Sequence, residues 1–343
     1  MEKQKSIIRF LCIVFLIGFF VPFVNTAAAE TIQLTYATMW PQGHPYSLGD
    51  QIWIERMEKE TKGAVKIKPF WGGTLVSARE SMTEATSGIA DIVCISPVYE
   101  KAGVDLTRCQ TAFYQGVTIG VPQIKVFWGL WEKFPEIRNE YPNMKILAVS
   151  SITSLRLMSK TPVGSLTDLK GMRIKAAKEL LAPLKRFGAE GVIVPTPEAY
   201  ETLQKGIIGG AFATADTYKS ARLAEVVKYD INLRSAMGPF PNRAMPLKSW
   251  NKLPPQIQKI FEASGEQWTL DMLAQSQKGE MQGLELAKSV GITFIELPPT
   301  DIRSFEDVYN EEALKSAQEL DAKGLPGSKM FHEARRLVKE FTK

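Results

Sequence analysis

The sequence predicts an α/β protein made of two lobes and braced by one long helix. Three observations carry this. Segments of two-residue and helical hydrophobic period alternate from Thr31 to Ser96, which is the pattern of a mainly parallel sheet with helical connections. A second unit of the same kind begins near Arg156 and includes "LTDLKGMRIKAAKELLAPLKRFGAEGVIVPTPEAYETLQKGIIGG". Then a run from Gln256 to Ser289 contains no proline and carries apolar residues throughout.

The elements follow in order. In "TIQLTYATM", Ile32, Leu34 and Tyr36 share one face, as in a strand buried on one side. "WPQGHPY" is a loop of turn formers. "SLGDQIWIERMEKETKG" is a helix closed by Gly63, with Leu48, Ile52 and Met57 inward. "AVKIKPF" is a strand, "SARESMTEATSGIA" a helix and "DIVCIS" a strand. Val98 to Asn143 reads as aromatic and irregular, and "MKILAVSS" as a strand. The run from Gln256 to Ser289 reads as one very long helix able to brace two domains, with a kink or break at one of its weak points, Gly265, Gly279 and Gly283, left open. "GITFIELP" is a late strand, and "EEALKSAQELDAKG" and "KMFHEARRLVKEF" are terminal helices.

Residues 1–29 read as an export signal. Lys3, Lys5 and Arg9 precede an apolar run, and "TAAAE" offers small residues for cleavage after Ala29. The run is about 15 residues long and contains Pro22, which is short for an uncleaved anchor. The chain has 42 basic and 37 acidic residues, interspersed rather than gathered into a stripe, so nucleic acid is not an expected partner. Cys94 and Cys109 remain after export. A disulfide between them is permitted, but a buried free thiol is the favoured reading of Cys94.

Enzyme classes fall mostly by subtraction. Only two histidines exist, His44 and His332, and no nucleophile elbow, zinc-binding motif, phosphate loop or dinucleotide motif is present. A carboxylate-pair hydrolase stays open, because sequence spacing does not constrain such a pair. The remaining reading is a binding protein whose lobes close on a small molecule. Arg156, Arg173 and Lys175 are candidate cations for an anionic ligand. Arg173 and Lys175 project from one face of a short strand, and the bland reading makes both ordinary surface charges. His44 is either a site residue or a loop histidine satisfied by backbone.

"SLTDLKGMRIKAA" followed by "FGAEGVIVPTPEAYETLQKGIIGG" resembles the DctP-type solute-binding proteins of TRAP (tripartite ATP-independent periplasmic) transporters. "GHPYSLGDQIWIERMEKETKGAVKIKPFWGGTL", "SGIADIVCIS" and "SWNKLPPQIQKIFEAS" fit in the same order, so the resemblance covers nearly the whole chain after the leader. It implies two α/β lobes joined by crossover strands and a long bracing helix. It also implies a cleft that closes on an organic acid and a membrane permease as recipient. The arginine that grips the carboxylate in this family falls on Lys175. Lysine offers a point charge in place of a planar fork. Arg156 is then expected to be the main anchor, with Lys175 its partner and Arg173 a substitute.

Other departures point to an apolar or aromatic ligand body. Gly209 stands where the family has an acid, and Ala211, Phe212 and Ala213 where it has polar residues. Phe212 also reads as ordinary core. Ser96, Pro97 and Tyr99 replace polar contacts, and Trp40, His44 and Tyr46 form the first loop. The expected ligand-binding set is therefore Arg156, Lys175, Arg173, Trp40, His44, Tyr46, Ser96, Tyr99, Phe212, Ala213 and Asn242, with no cofactor and no metal.

The expected division is 30–152 with 242–285 as lobe I and 153–241 with 286–343 as lobe II, the cleft lying between them. The expected protein is a periplasmic monomer, not an enzyme, with dimerisation through the long helix as the alternative. Its partners would be an organic acid, in particular a monocarboxylate, and the TRAP permease subunits. A ligand-sensing protein of the same fold is the other functional reading.

Overall fold

The structure is a computed structural model that describes residues 31–150 and 153–342; the expected leader lies outside them. The first part runs β1 (Ile32–Ala37), α1 (Pro45–Glu60), β2 (Val65–Phe70), α2 (Ser81–Ser87) and β3 (Ile92–Cys94). Leu34 and Tyr36 are buried, as the two-residue period requires. The stretch expected to be irregular instead holds three helices, α3 (Asp105–Gln110), α4 (Val121–Lys133) and α5 (Pro135–Asn139). Pro122 and Pro135 sit in the first turns of α4 and α5, where a missing N–H costs nothing. β4 (Met144–Val149) then leads to β5 (Leu155–Ser159).

The second unit continues with β6 (Arg173–Lys175), α6 (Lys178–Arg186), β7 (Glu190–Val192), α7 (Ala199–Gln204), β8 (Gly210–Ala213), α8 (Thr217–Ser220) and β9 (Tyr229–Ser235). The chain returns through β10 (Pro241–Pro246) and α9 (Leu247–Trp250) to α10 (Pro255–Ser289). It ends with β11 (Thr293–Ile295), α11 (Pro299–Asp321) and α12 (Gly327–Phe341).

Two sheets result. The first has the order β2-β1-β3-β10-β4 and the second β11-β9-β5-β8-β6-β7. β1 is parallel to β2 and β3, and β6 is parallel to β7 and β8. The returning strands are antiparallel: β10 against β3 and β4, and β5 against β8 and β9. The chain therefore crosses between sheets three times, from β4 to β5, from β9 to β10 and, through α10, from β10 to β11. Helix α3 packs on α11 and α12, and α4 packs on α12. That helical layer joins segments that the sequence division assigns to different lobes.

α10 is one continuous helix of 35 residues, not a broken one. Its glycines are contact points. A Cβ on Gly265 would lie 2.2 Å from the Leu147 carbonyl oxygen of β4. One on Gly283 would lie 1.9 Å from the Ala215 carbonyl oxygen just after β8. Each glycine costs about 1 kcal/mol of helix propensity, but lets the helix backbone touch one of the two sheet units. Toward α1, Trp53 and Trp268 stack at 3.6 Å and the Trp53 indole donates to Ser264 Oγ. Each tryptophan buries enough surface to contribute about 4–6 kcal/mol. Cys94 and Cys109 are unbonded thiols.

Candidate ligand-binding site

A cavity of about 110 Å³ lies between the two sheets. Its walls come from the loops and turns that follow β1, β3, β6, β7 and β8, so it sits beyond the carboxyl ends of the parallel strands. That is where an open α/β sheet presents a crevice. Of the expected residues, Trp40, His44, Tyr46, Ser96, Tyr99, Lys175, Phe212, Ala213 and Asn242 line it.

Arg156 does not. Along β5, Leu155 faces the cavity and Arg156 faces the other way, as alternation demands. Its guanidinium grips Asp230 of β9 with two nitrogens, Nε to Oδ2 at 2.7 Å and Nη2 to Oδ1 at 2.6 Å. Tyr218 donates to the same carboxylate at 2.7 Å. The expected anchor is thus a structural ion pair, buried on both sides. Arg173 is also outside the cavity. It is exposed and bonded to Glu190 and to the Ile207 carbonyl. It shares a face with Lys175, but two residues place it about 6.6 Å further from the strand's carboxyl end.

Lys175 is the buried cation of the cavity, 6% exposed. Its Nζ donates to the Phe212 carbonyl at 3.1 Å. Burial pulls its ammonium down to about 8. Lys178, the other lysine in the lining, is exposed. Phe212 serves twice: its ring stacks on Phe305 in the core, and its carbonyl holds Lys175.

The opposite wall is aromatic. Trp40 stacks on His44 at 4.1 Å, and Tyr46 meets both edge-on. His44 caps α1, its Nδ1 accepting from the Tyr46 backbone N–H at 3.2 Å. That leaves the proton on Nε2, which lies 3.8 Å from Asp216 Oδ2. Burial, aided by the nearby Arg243 charge, pushes His44 down to about 3, so the ring is neutral. Burial raises the Asp216 carboxyl, while Thr214 and Ser220 donate to it. Asn242 Oδ1 is buried without a hydrogen-bond partner among the described residues.

Behind this wall lies an ion pair that sequence reasoning did not find. Arg243 and Asp50 are fully buried and bonded at 2.8 and 2.9 Å. Tyr36 and Trp268 also donate to Asp50. Asp50 is therefore saturated, and Arg243 is not available to a ligand. Asp216, Thr196 and Glu179 were also missed; only their position just past strand ends could have flagged them.

The two units also touch across the cavity rim. Arg79 holds Glu198 through two bonds, of 2.5 and 3.1 Å, and the Tyr99 hydroxyl meets Thr196.

Two sheets exchanging strands, with an enclosed cavity holding a buried cation, define a two-lobed small-molecule-binding protein. The chain belongs to the DctP family, described as bacterial extracellular solute-binding protein, family 7, whose profile matches residues 36–319. Proteins of this family are periplasmic carriers that serve TRAP permeases. A similar sequence is a monocarboxylate 2-oxoacid-binding periplasmic protein of Nostoc sp., 22% identical over 302 residues, which cover 85% of this chain and 82% of that protein. A TRAP solute-binding protein of Desulfovibrio salexigens, solved as an open complex, is 27% identical with a TM-score of 0.74, covering 90% of this chain and 96% of that one. Another, from Rhodoferax ferrireducens and solved with copurified benzoate, has a TM-score of 0.80 at 20% identity, covering 91% and 98%.

Proposed function

We propose that this chain captures a small monocarboxylate with an apolar or aromatic body and delivers it to the membrane subunits of a TRAP permease. Export with cleavage after Ala29 places it in the periplasm. One observation carries the ligand class. Lys175 is buried, has one neutral acceptor and has no carboxylate at ion-pair distance among the described residues. An ammonium in that position is costly unless an anion joins it. Lys175 replaces Arg156 as the anchor. Asn242, Tyr99 and Ser96 supply polar contacts, and Trp40, His44 and Tyr46 flank the ligand body.

Size supports the same reading. A cavity of about 110 Å³ is on the scale of the roughly 150 Å³ engineered cavity that accepts benzene. It suits an acid of about that bulk better than a sugar acid. The benzoate and 2-oxoacid ligands of the two similar proteins are of this kind. The ligand is held and released unchanged. Lobe closure is favoured because the closed state contacts the ligand from both units.

A thermal-shift screen of residues 30–343 tests the proposal. Aromatic and branched monocarboxylates should raise the melting temperature. A shift with neutral sugars alone would overturn the ligand class, and recovery of a chemically altered acid would overturn the carrier role.

A further inference from the structure

Lys175 has an acidic neighbour that ligand capture leaves unused. Glu179 lies four residues on, in the first turn of α6. The residue as a whole is half-buried, but its Oε1 is closed off from solvent and has no hydrogen-bond partner among the described residues. Its own backbone N–H is the donor that steadies the carboxyl. It does not reach ion-pair distance of Lys175, yet the two groups feel each other's charge.

The other groups facing Glu179 do not supply a countercharge. Tyr99, from the turn after β3, and Tyr309, from α11, are phenols that burial keeps protonated. Arg335 of α12 acts on Tyr309. Lys178, on the same helix, is exposed. The cavity lining thus holds one buried cation, Lys175, and one buried acid, Asp216, whose oxygens accept from Thr214 and Ser220, and Glu179, next to the lining residue Lys178, adds a second acid with an unpartnered oxygen. An incoming carboxylate adds a further anion to these two acids against one buried cation in a water-poor space, where unbalanced charge is expensive.

We propose that Glu179 is a positioning residue that takes up a proton from the medium as the anion binds beside Lys175, so that the cavity captures a carboxylate and a proton together. This rests on the organic-acid reading above. Burial already holds the Glu179 carboxyl up at about 7, so at pH 7 it is about half protonated in the free protein. A bound anion claims Lys175 and drives the carboxyl higher, completing its protonation. The sign follows: affinity is level below about pH 7 and falls by up to tenfold per pH unit above it. Loss of the Lys175 proton near 8 adds to the fall at higher pH.

The test is calorimetric titration of residues 30–343 with benzoate, phenylacetate and pyruvate, in phosphate and in Tris, from about pH 6 to pH 9. These probes stay ionised throughout, so any proton comes from the buffer. The wild type should take up about half a proton at pH 7. Glu179→Gln should take up only about a tenth of a proton there, from Lys175, and its affinity should begin to fall only near pH 8. Unchanged uptake and pH profile in Glu179→Gln would overturn the assignment. Should that variant fail to fold, the carboxyl carbon signals of wild-type glutamates decide. One signal titrating near 7 in the free protein and silent in the complex supports the proposal, and none titrating above about 5 overturns it. Binding without proton uptake sinks only the role of Glu179. Failure of every carboxylate to bind sinks the organic-acid reading and this inference with it.

Discussion

Arg156→Ala should cost stability and leave ligand affinity within about twofold. The reason is geometric. Arg156 and Asp230 have side chains 7% and 0% exposed, and three hydrogen bonds join them. Removing the guanidinium leaves a buried carboxylate with the Tyr218 hydroxyl as its remaining donor. Breaking a buried pair from one side costs about 3–5 kcal/mol. In a chain of this size that lowers the melting temperature by roughly 4–8 °C. Urea unfolding gives the stability and calorimetry with the cognate acid gives the affinity. Because Leu155, not Arg156, faces the cavity, the two readouts should separate. Near-normal stability with lost binding would refute the reasoning and restore Arg156 as the ligand's anchor.

That residue marks where sequence stops being informative. Strand alternation made it certain that Leu155 and Arg156 face opposite ways, but not which face is the cleft. The deciding partner, Asp230, is 74 residues away. The register after "DLKG" did bring Lys175 to the cavity, and the loop "WPQGHPY" did bring Trp40, His44 and Tyr46. β1, β2 and the alternating first unit were legible because local hydrophobic period sets them. α4 was not, since "VPQIKVFWGLWEK" is apolar on too much of its surface and crowded with aromatics for its period to stand out. α10 was legible as one very long helix, and only whether its glycines interrupt it was open. Gly265 and Gly283 weaken the helix locally, and the close contacts that compensate come from β4 and the turn after β8.

Two further outcomes are expected. The Arg79–Glu198 pair spans the rim with side chains about half exposed, so it contributes about 0.2–1 kcal/mol to the closed state. Arg79→Ala should weaken ligand binding by up to about fivefold, through faster dissociation in stopped-flow, and the charge-swapped Arg79→Glu, Glu198→Arg double variant should recover it. His44 is neutral and held near 3, whereas unfolding restores its ordinary value near 6.5. The unfolded chain then binds the extra proton between those values, so this group removes stability as pH falls below about 6.5, by about 2 kcal/mol at pH 5. His44→Asn should flatten that part of the urea-midpoint profile, and an unchanged slope would assign it elsewhere.

The central claim is that an organic anion is held by Lys175 inside the cavity. The dissociation constant of Lys175→Ala for the cognate carboxylate, measured by calorimetry beside the wild type, tests it most directly. A charge-assisted bond to a buried anion is worth about 1.5–3 kcal/mol, so affinity should fall by roughly 10- to 150-fold with the fold intact. Equal affinity in the two proteins would contradict the account and place the anion site elsewhere.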